Sequence, residues 1–266
     1  MKKVILLDMD GTITPHRKPI DSYMVAQLNS MFADDWEIGI VSGSGMEYMD
    51  EQLSGWDPWN SDHPMLHKFP INGTQGLQMR NEYTRFEWDW LINDIQSADH
   101  RMRCSLGGNY IRVPEQIIDF RGSSINWCPI GRDANEKQRK RFVGLDIAFD
   151  LRKNFLEQMK TRPLFHSKTV IKIGGQTSFD IYPTGWDKSY VFKSFQDFER
   201  IYFIGDRCEP MGNDYEGFIK AGDYGIQTDG PETTSRILSE ILRRSTREDK
   251  VSPQIQTSPP GGRHHN

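Results

Sequence analysis

The sequence predicts an α/β fold: a parallel-sheet core assembled from both ends of the chain, with an α+β module inserted between them. Three observations predict it. Apolar runs alternate with a helical pattern near the N-terminus. The same alternation returns after residue 200. The middle of the chain instead shows two hairpins and a helix, the pattern of an antiparallel sheet with helices.

Val4 to Leu7 is a short, partly β-branched run, as in a strand buried on both faces. It is too short for a signal peptide and meets acids at once. Residues 20–33 place Met24, Leu28 and Met31 at helical spacing, and Trp36 to Val41 reads as a second strand ended by Ser42-Gly43-Ser44. Strand, helix, strand implies parallel pairing. In the middle, residues 116–121 and 124–128 form a hairpin around Gly122-Ser123, a helix runs from about Asn135 to Lys160, and residues 168–173 and 177–183 form a second hairpin around Gly174-Gly175. Late in the chain come a strand from Arg200 to Ile204, a helix over 212–221, a strand from Tyr224 to Gln227, and a helix from Pro231 to about Arg244. The boundaries fall near 80 and 186: residues 1–80 and 187–245 form the core, and 81–186 the module. Residues 246–266, rich in Ser, Pro, Gly and Gln, read as a disordered tail.

The bulk properties exclude several functions. A net charge of -4 over 266 residues gives no global reason to expect nucleic acid or an anionic membrane. No apolar run approaches the ~20 residues that span a bilayer. Three scattered cysteines, Cys104, Cys128 and Cys208, make no disulfide framework and fit a reducing, cytoplasmic setting. No Walker-type loop and no HExxH is present. The tryptophans are not interleaved with the arginines, so nucleic-acid stacking is a poor reading of the basic module.

Acids cluster at strand ends. Asp8 and Asp10 follow the first strand, two apart, so both can face one site. Ligands bind outside the carboxyl ends of strands in open parallel sheets. The late strand ends in Gly205-Asp206, with Asp214 soon after. Carboxylates from two strand ends suit a hard cation such as Mg2+. Ser42 and Ser44 can donate to a phosphoryl group, and Lys188 can supply a fixed positive charge. One carboxylate can attack phosphorus while the other moves a proton. A single strand-end Asp is as readily loop solvation or a helix cap, and a lone Asp-x-Asp is a weak signal; DMDGT with Ser44, Lys188 and GDRCEPMGND is a strong one.

These residues resemble the haloacid dehalogenase superfamily, whose core is a Rossmann-type parallel sheet. The resemblance implies that Asp8 is the nucleophile and Asp10 the proton donor and acceptor, its backbone oxygen also touching Mg2+. Asp206 would complete the metal site and Asp214 support it.

The module has its own charge. From His100 to Lys172 there are 15 Lys and Arg against 7 Asp and Glu. A basic lid over an acidic floor suits a substrate with two anionic ends, and arginine binds phosphate through a planar fork. Arg121, Arg132 and Arg139 are the candidates, with Ser178 and Asp180 facing one way on the second hairpin. Arg141, Arg152 and Arg162 read as surface solvation. The segments DFRGSSINWCPIGR, IGGQTSFDIYPTGWDKSY and IYFIGDRCEPMGNDYEGF resemble the eukaryotic-type phosphomannomutases, a capped branch of that superfamily. That resemblance implies substrate contacts at Arg17, Arg121, Arg132, Arg139, Ser178 and Asp180. It also implies a homodimer formed through the cap, near Trp88 and Trp90, a hexose bisphosphate activator, and a place in GDP-mannose biosynthesis. The chain departs from the family at Val-Ser-Gly-Ser-Gly, at Pro-Ile-Asn-Gly, and at Lys220, which replaces the acid of a second metal site.

The reaction so implied interconverts mannose 6-phosphate and mannose 1-phosphate through an aspartyl phosphate and a hexose bisphosphate. Two other readings stand beside it: a Mg2+-dependent sugar-phosphate phosphatase using the same residues, and a non-catalytic sugar-phosphate binder.

Overall fold

A computed structural model of the chain describes residues 2–106 and 116–251. Its first sheet runs, in spatial order, through Leu66–Phe69 (β3), Glu37–Val41 (β2), Lys3–Asp8 (β1), Arg200–Gly205 (β8) and Gly225–Gln227 (β9). Every pairing in it is parallel. β1 is central and buried on both faces, which is why its sequence is continuously apolar. Ile5 and Leu7 pack to one side, with Met24, Leu28 and Met31 of α1 (Ser22–Ala33) and Leu238 and Ile241 of α9 (Pro231–Val251). Val4 and Leu6 pack to the other, with Val191, Phe192 and Phe195 of a short 3-10 segment, Lys188–Phe195. Asp21 caps α1, its side chain accepting from the Met24 amide.

The second sheet is antiparallel, in the order Ile118–Phe120 (β4), Ile125–Trp127 (β5), Ser178–Pro183 (β7) and Thr169–Gly174 (β6). Its apolar face carries Ile125, Trp127, Phe179 and Ile181, packed against Leu91, Ile95 and Met102 of α4 (Arg85–Leu106) and Phe155, Leu156 and Met159 of α6 (Leu151–Lys160). Trp127 stacks on Phe179 at 4.5 Å, and its indole N–H donates to buried Asp99. Period-two alternation leaves Asn126, Ser178 and Asp180 on the opposite face, toward the carboxyl ends of the first sheet.

Four elements differ from the sequence expectation. The helix expected over 135–160 breaks at Asp150, whose φ of 49° is left-handed, into α5 (Glu136–Phe149) and α6. The break lets α6 turn an apolar stripe to the sheet, while α5 buries only Phe142. The helix expected over 212–221 is α8, Tyr215–Ala221, because residues 207–214 instead form a loop closed by the Asp214 amide on the Arg207 carbonyl. α9 continues to Val251, past the expected end at Arg244 and into the expected tail. Residues 252–266 of that tail lie outside the described residues. α4 was not expected: acids and arginines dilute its apolar stripe, although Leu91, Ile95, Ala98 and Met102 keep helical spacing.

Candidate active site

The parallel register aligns the strand ends. Asp8 lies beside Val41, and Leu7 beside Ile204, so the loops after β1, β2 and β8 open together. Past β1 the chain turns tightly at Gly11, with its amide donating to the Thr14 carbonyl. Gly11 has φ 88°, and a Cβ there would sit 2.5 Å from Asp206 Oδ2, so the position has neither the conformation nor the space for a side chain.

Asp8, Asp206 and Asp214 each offer an oxygen within 4.8 Å of the others. Lys188 lies under them, 1% exposed, donating to Asp8 Oδ1 and to Asp214 Oδ1 at 2.6 Å. Thr12 donates to Asp8 Oδ2 at 3.1 Å. The second oxygen of Asp214 accepts from the Arg207 amide, so this carboxylate orients Lys188 and the loop together. Burial and the neighbouring Asp214 push the Asp8 carboxyl well above its ordinary range, with Lys188 opposing. Burial and Asp214 likewise push Asp206 up to about 6. Burial alone would lower Lys188, but Asp214 and Asp8 outweigh it and the ammonium stays protonated. Three carboxylates around one ammonium leave an excess of two negative charges. A divalent ion balances that excess, and all-oxygen donors suit Mg2+. The residues therefore fit the ion that the strand-end acids imply.

Asp10 faces a different direction. Its Oδ1 accepts from the Tyr48 hydroxyl at 2.9 Å and from the Arg17 amide at 3.1 Å, and its carboxylate lies outside the three-acid cluster. After β2, the Ser44 amide donates to Ser42 Oγ at 3.0 Å. The Ile71 and Asn72 amides donate to the Ser44 and Ser42 carbonyls, so the turn is held from both sides.

A cavity of about 640 Å³ lies between the two sheets. On the core side it is lined by Asp8, Asp10, Arg17, Ser42, Ser44 and Asp206. On the cap side it is lined by Arg121, Arg132, Arg139, Ser178 and Asp180. Lys188 and Asp214 lie beneath the floor, buried. The structure thus brings the sequence-expected residues to one place.

The arginines are individually anchored. Arg121 pairs with Asp119 at 3.1 Å and donates to the Gly43 carbonyl at 2.9 Å, which ties cap to core. Arg132 donates to Asn126 Oδ1, and Asn126 in turn donates to Asp180. Arg139 donates to Thr177 Oγ1 and to the Ala134 and Arg132 carbonyls. Burial first, and then a neighbouring guanidinium, lowers both groups: Arg121 acts on Arg132, and Arg17 on Arg139. Like charges gathered on one cavity wall suit a multivalent anion.

Arg152 does not solvate the surface as expected. It is buried, pairs with Asp146 at 2.7 Å, and donates to the Gly174 and Gly175 carbonyls, holding the β6–β7 turn. Arg141 and Arg162 are exposed, as the sequence reading expects, with Asp94 4.0 Å from Arg162.

Sequence reasoning missed Tyr48, His16 and Arg207. His16 Nε2 stands 3.8 Å from Asp206 Oδ2. Arg207 donates across the cleft to the Gly175 carbonyl at 3.0 Å. Arg207 lies inside a motif already singled out, and its charge beside Asp206 was a usable signal. Tyr48 gave none, since its partner is 38 residues away.

A family model described as eukaryotic phosphomannomutase matches residues 24–244. The phosphomannomutase of Drosophila melanogaster is 32% identical over 248 residues, covering 90% of this chain and 95% of that protein. That of Saccharomyces cerevisiae is 30% identical over 247 residues, covering 90% and 94%. Among solved structures, IMP-bound Plasmodium falciparum IMP-nucleotidase superposes with a TM-score of 0.60 at 13% identity, covering 91% of this chain and 68% of that one. The C-terminal domain of Candida albicans trehalose-6-phosphate phosphatase gives 0.58 at 12% identity, covering 91% and 93%. At such identities these two show the fold alone, a parallel-sheet α/β core with a further α+β module. The family match and the Drosophila relative, each spanning most of the sequence, go further: the chain belongs to the eukaryotic phosphomannomutase family.

Proposed function

We propose that this protein interconverts mannose 6-phosphate and mannose 1-phosphate, with Asp8 carrying the phosphoryl group in transit. One observation carries the reading: a single cavity has a nucleophilic carboxylate at its acidic floor and three anchored arginines on its opposite wall. A substrate with one reacting and one parked phosphate fits such a two-ended site.

Phosphorylated Asp8 presents phosphorus to the free hydroxyl of the sugar phosphate. The hydroxyl oxygen bonds to phosphorus as the bond to Asp8 breaks, and Asp10 takes the hydroxyl proton. The resulting bisphosphate turns over in the cavity. Asp8 then attacks its other phosphorus, and Asp10 returns the proton to the leaving sugar oxygen. Arg17, Arg121, Arg132 and Arg139 hold the idle phosphate in both halves. Asp180 and Ser178 meet the sugar hydroxyls. Ser44 and Lys188 donate toward the transferring group and its carboxylate. Asp8 and Asp206, with the backbone oxygen of Asp10 and support from Asp214, would hold Mg2+, which when bound offsets the negative charge of the transferring phosphoryl group. The contacts of Arg121 with Gly43 and of Arg207 with Gly175 hold the two walls of the cavity together over Asp8.

A hexose bisphosphate that first charges Asp8, a cytoplasmic setting, and dimerisation through the cap belong to the same proposal. All three cysteines are free, in keeping with a reducing compartment, and no helix among the described residues is long and apolar enough to cross a membrane. Phe86 and Trp90, one turn apart on α4, are 74% and 62% exposed, which supports a partner surface there.

Incubation with mannose 1-phosphate, Mg2+ and a trace of hexose bisphosphate, followed by phosphorus NMR, tests the function. Mannose 6-phosphate should accumulate. Release of inorganic phosphate without 6-phosphate would establish the phosphatase reading instead.

A further inference from the structure

We infer that Tyr48 is a positioning residue for proton transfer: together with the Arg17 amide it fixes Oδ1 of Asp10, leaving Oδ2 as the oxygen that exchanges the proton with the sugar. The inference rests on the phosphoryl-transfer reading above.

Asp10 is only partly buried, and a carboxylate rotates readily about its terminal bond, which exchanges its two oxygens. Left free, it would spend part of its time with the wrong oxygen, or the wrong lone pair, toward the substrate. Both hydrogen bonds found on it fall on the same atom. The Tyr48 hydroxyl donates at 2.9 Å and the Arg17 amide at 3.1 Å, each to Oδ1. Two donors on one oxygen define the plane of the carboxylate, and among the described residues no hydrogen bond falls on the other oxygen.

The two donors come from different elements. Arg17 has φ 58°, the left-handed conformation, in a loop closed by the Lys18 amide on the Pro15 carbonyl. Tyr48 stands on α2 (Met46–Leu53), which Met49 and Leu53 bury against the core. The Tyr48 ring lines the cavity beside Asp10. A carboxylate only accepts, so the Tyr48 hydroxyl is the donor in this contact. Two parts of the site thereby converge on one atom: Tyr48 follows the serine turn after β2, and Arg17 carries a guanidinium that reaches the field of Arg139.

The test uses Tyr48→Phe in the full chain, alone and combined with Asp10→Asn. The rate measured is consumption of mannose 1-phosphate by any route, read by phosphorus NMR. Tyr48→Phe alone should lower kcat on the order of tenfold, the worth of one hydrogen bond to a charged group, with KM within about twofold. In the Asp10→Asn background the same change should cost less than about twofold, because the group it positions is already gone. An equal loss in both backgrounds would mean a general structural effect and would overturn the inference. So would an unchanged kcat, or a raised KM at constant kcat, which would make Tyr48 a substrate contact. A wild type that only releases inorganic phosphate would defeat the mutase reading and leave this comparison intact. A wild type that consumes no sugar phosphate would defeat both.

Discussion

Replacing Lys188 by methionine removes the one ammonium that stands between two buried carboxylates. The side chain is 1% exposed, and Asp214, one of its partners, is 0% exposed. Methionine keeps most of the aliphatic stem, so the packing with the core changes little. The loss is therefore electrostatic: Asp8 and Asp214 keep their burial and lose their counter-charge. Breaking a buried pair from one side costs about 3–5 kcal/mol. For a chain of this size that is a fall in Tm of roughly 6–20 °C. Thermal unfolding in chelator at pH 7.5, followed by the fluorescence of the buried core tryptophans Trp36, Trp56 and Trp59, measures it. The penalty should shrink as pH falls. The Asp8 carboxyl already sits well above its ordinary range, and a protonated carboxyl no longer needs the ammonium. A loss below about 1 kcal/mol, or a gap between variant and wild type that is the same at pH 8 and pH 5, would refute the reasoning.

The pH dependence of metal stabilisation follows from Asp206. Its carboxyl is raised to about 6, so the folded state holds a proton there that the unfolded chain has already lost. Metal-free stability from this group thus declines as pH rises from about 4 to about 6. Added Mg2+ should raise Tm clearly more at pH 7.5 than at pH 5.5, as differential scanning fluorimetry would report; an equal gain at both would count against the site. Gly174→Ala would place a Cβ 2.4 Å from Asp180 Oδ2 and displace that carboxylate from the cavity. KM for the sugar phosphate should rise about tenfold while Mg2+ affinity by calorimetry stays constant. Arg121→Glu reverses a charge on the cavity wall and breaks the tie to Gly43. It should raise KM at least about tenfold and spare metal binding; unchanged kinetics would remove Arg121 from the substrate site.

The acidic floor was legible because its grammar is local. A continuous apolar run followed by Asp8, and another followed by Asp206, place carboxylates at strand ends whatever the rest of the chain does. The cap hairpins were legible for a similar reason, since Gly122 and Gly174-Gly175 punctuate alternating strands. What escaped depended on distance along the chain. Arg152 reads as a surface residue until Asp146 and the Gly174 and Gly175 carbonyls are folded around it. Asp150 breaks a helix that its neighbours' propensities would continue, and although Asp tolerates a left-handed conformation, one Asp in a helical stretch is a weak signal. Tyr48 lies in an unremarkable amphipathic stretch and gains its place only when α2 docks beside the loop after β1.

The central position of β1 has a consequence for how the protein is made. Its first neighbour, β2, leaves the ribosome about thirty residues later, but its second, β8, begins at Arg200. Until β8 is made, β1 lacks a partner along one edge of four apolar residues, the kind of edge that recruits other chains. The same delay governs the chemistry. Lys188 and Asp214, which complete the surroundings of Asp8, follow it by 180 and more residues. The nascent protein therefore carries an incomplete site, and charging of its aspartate must wait until Asp214 has been made.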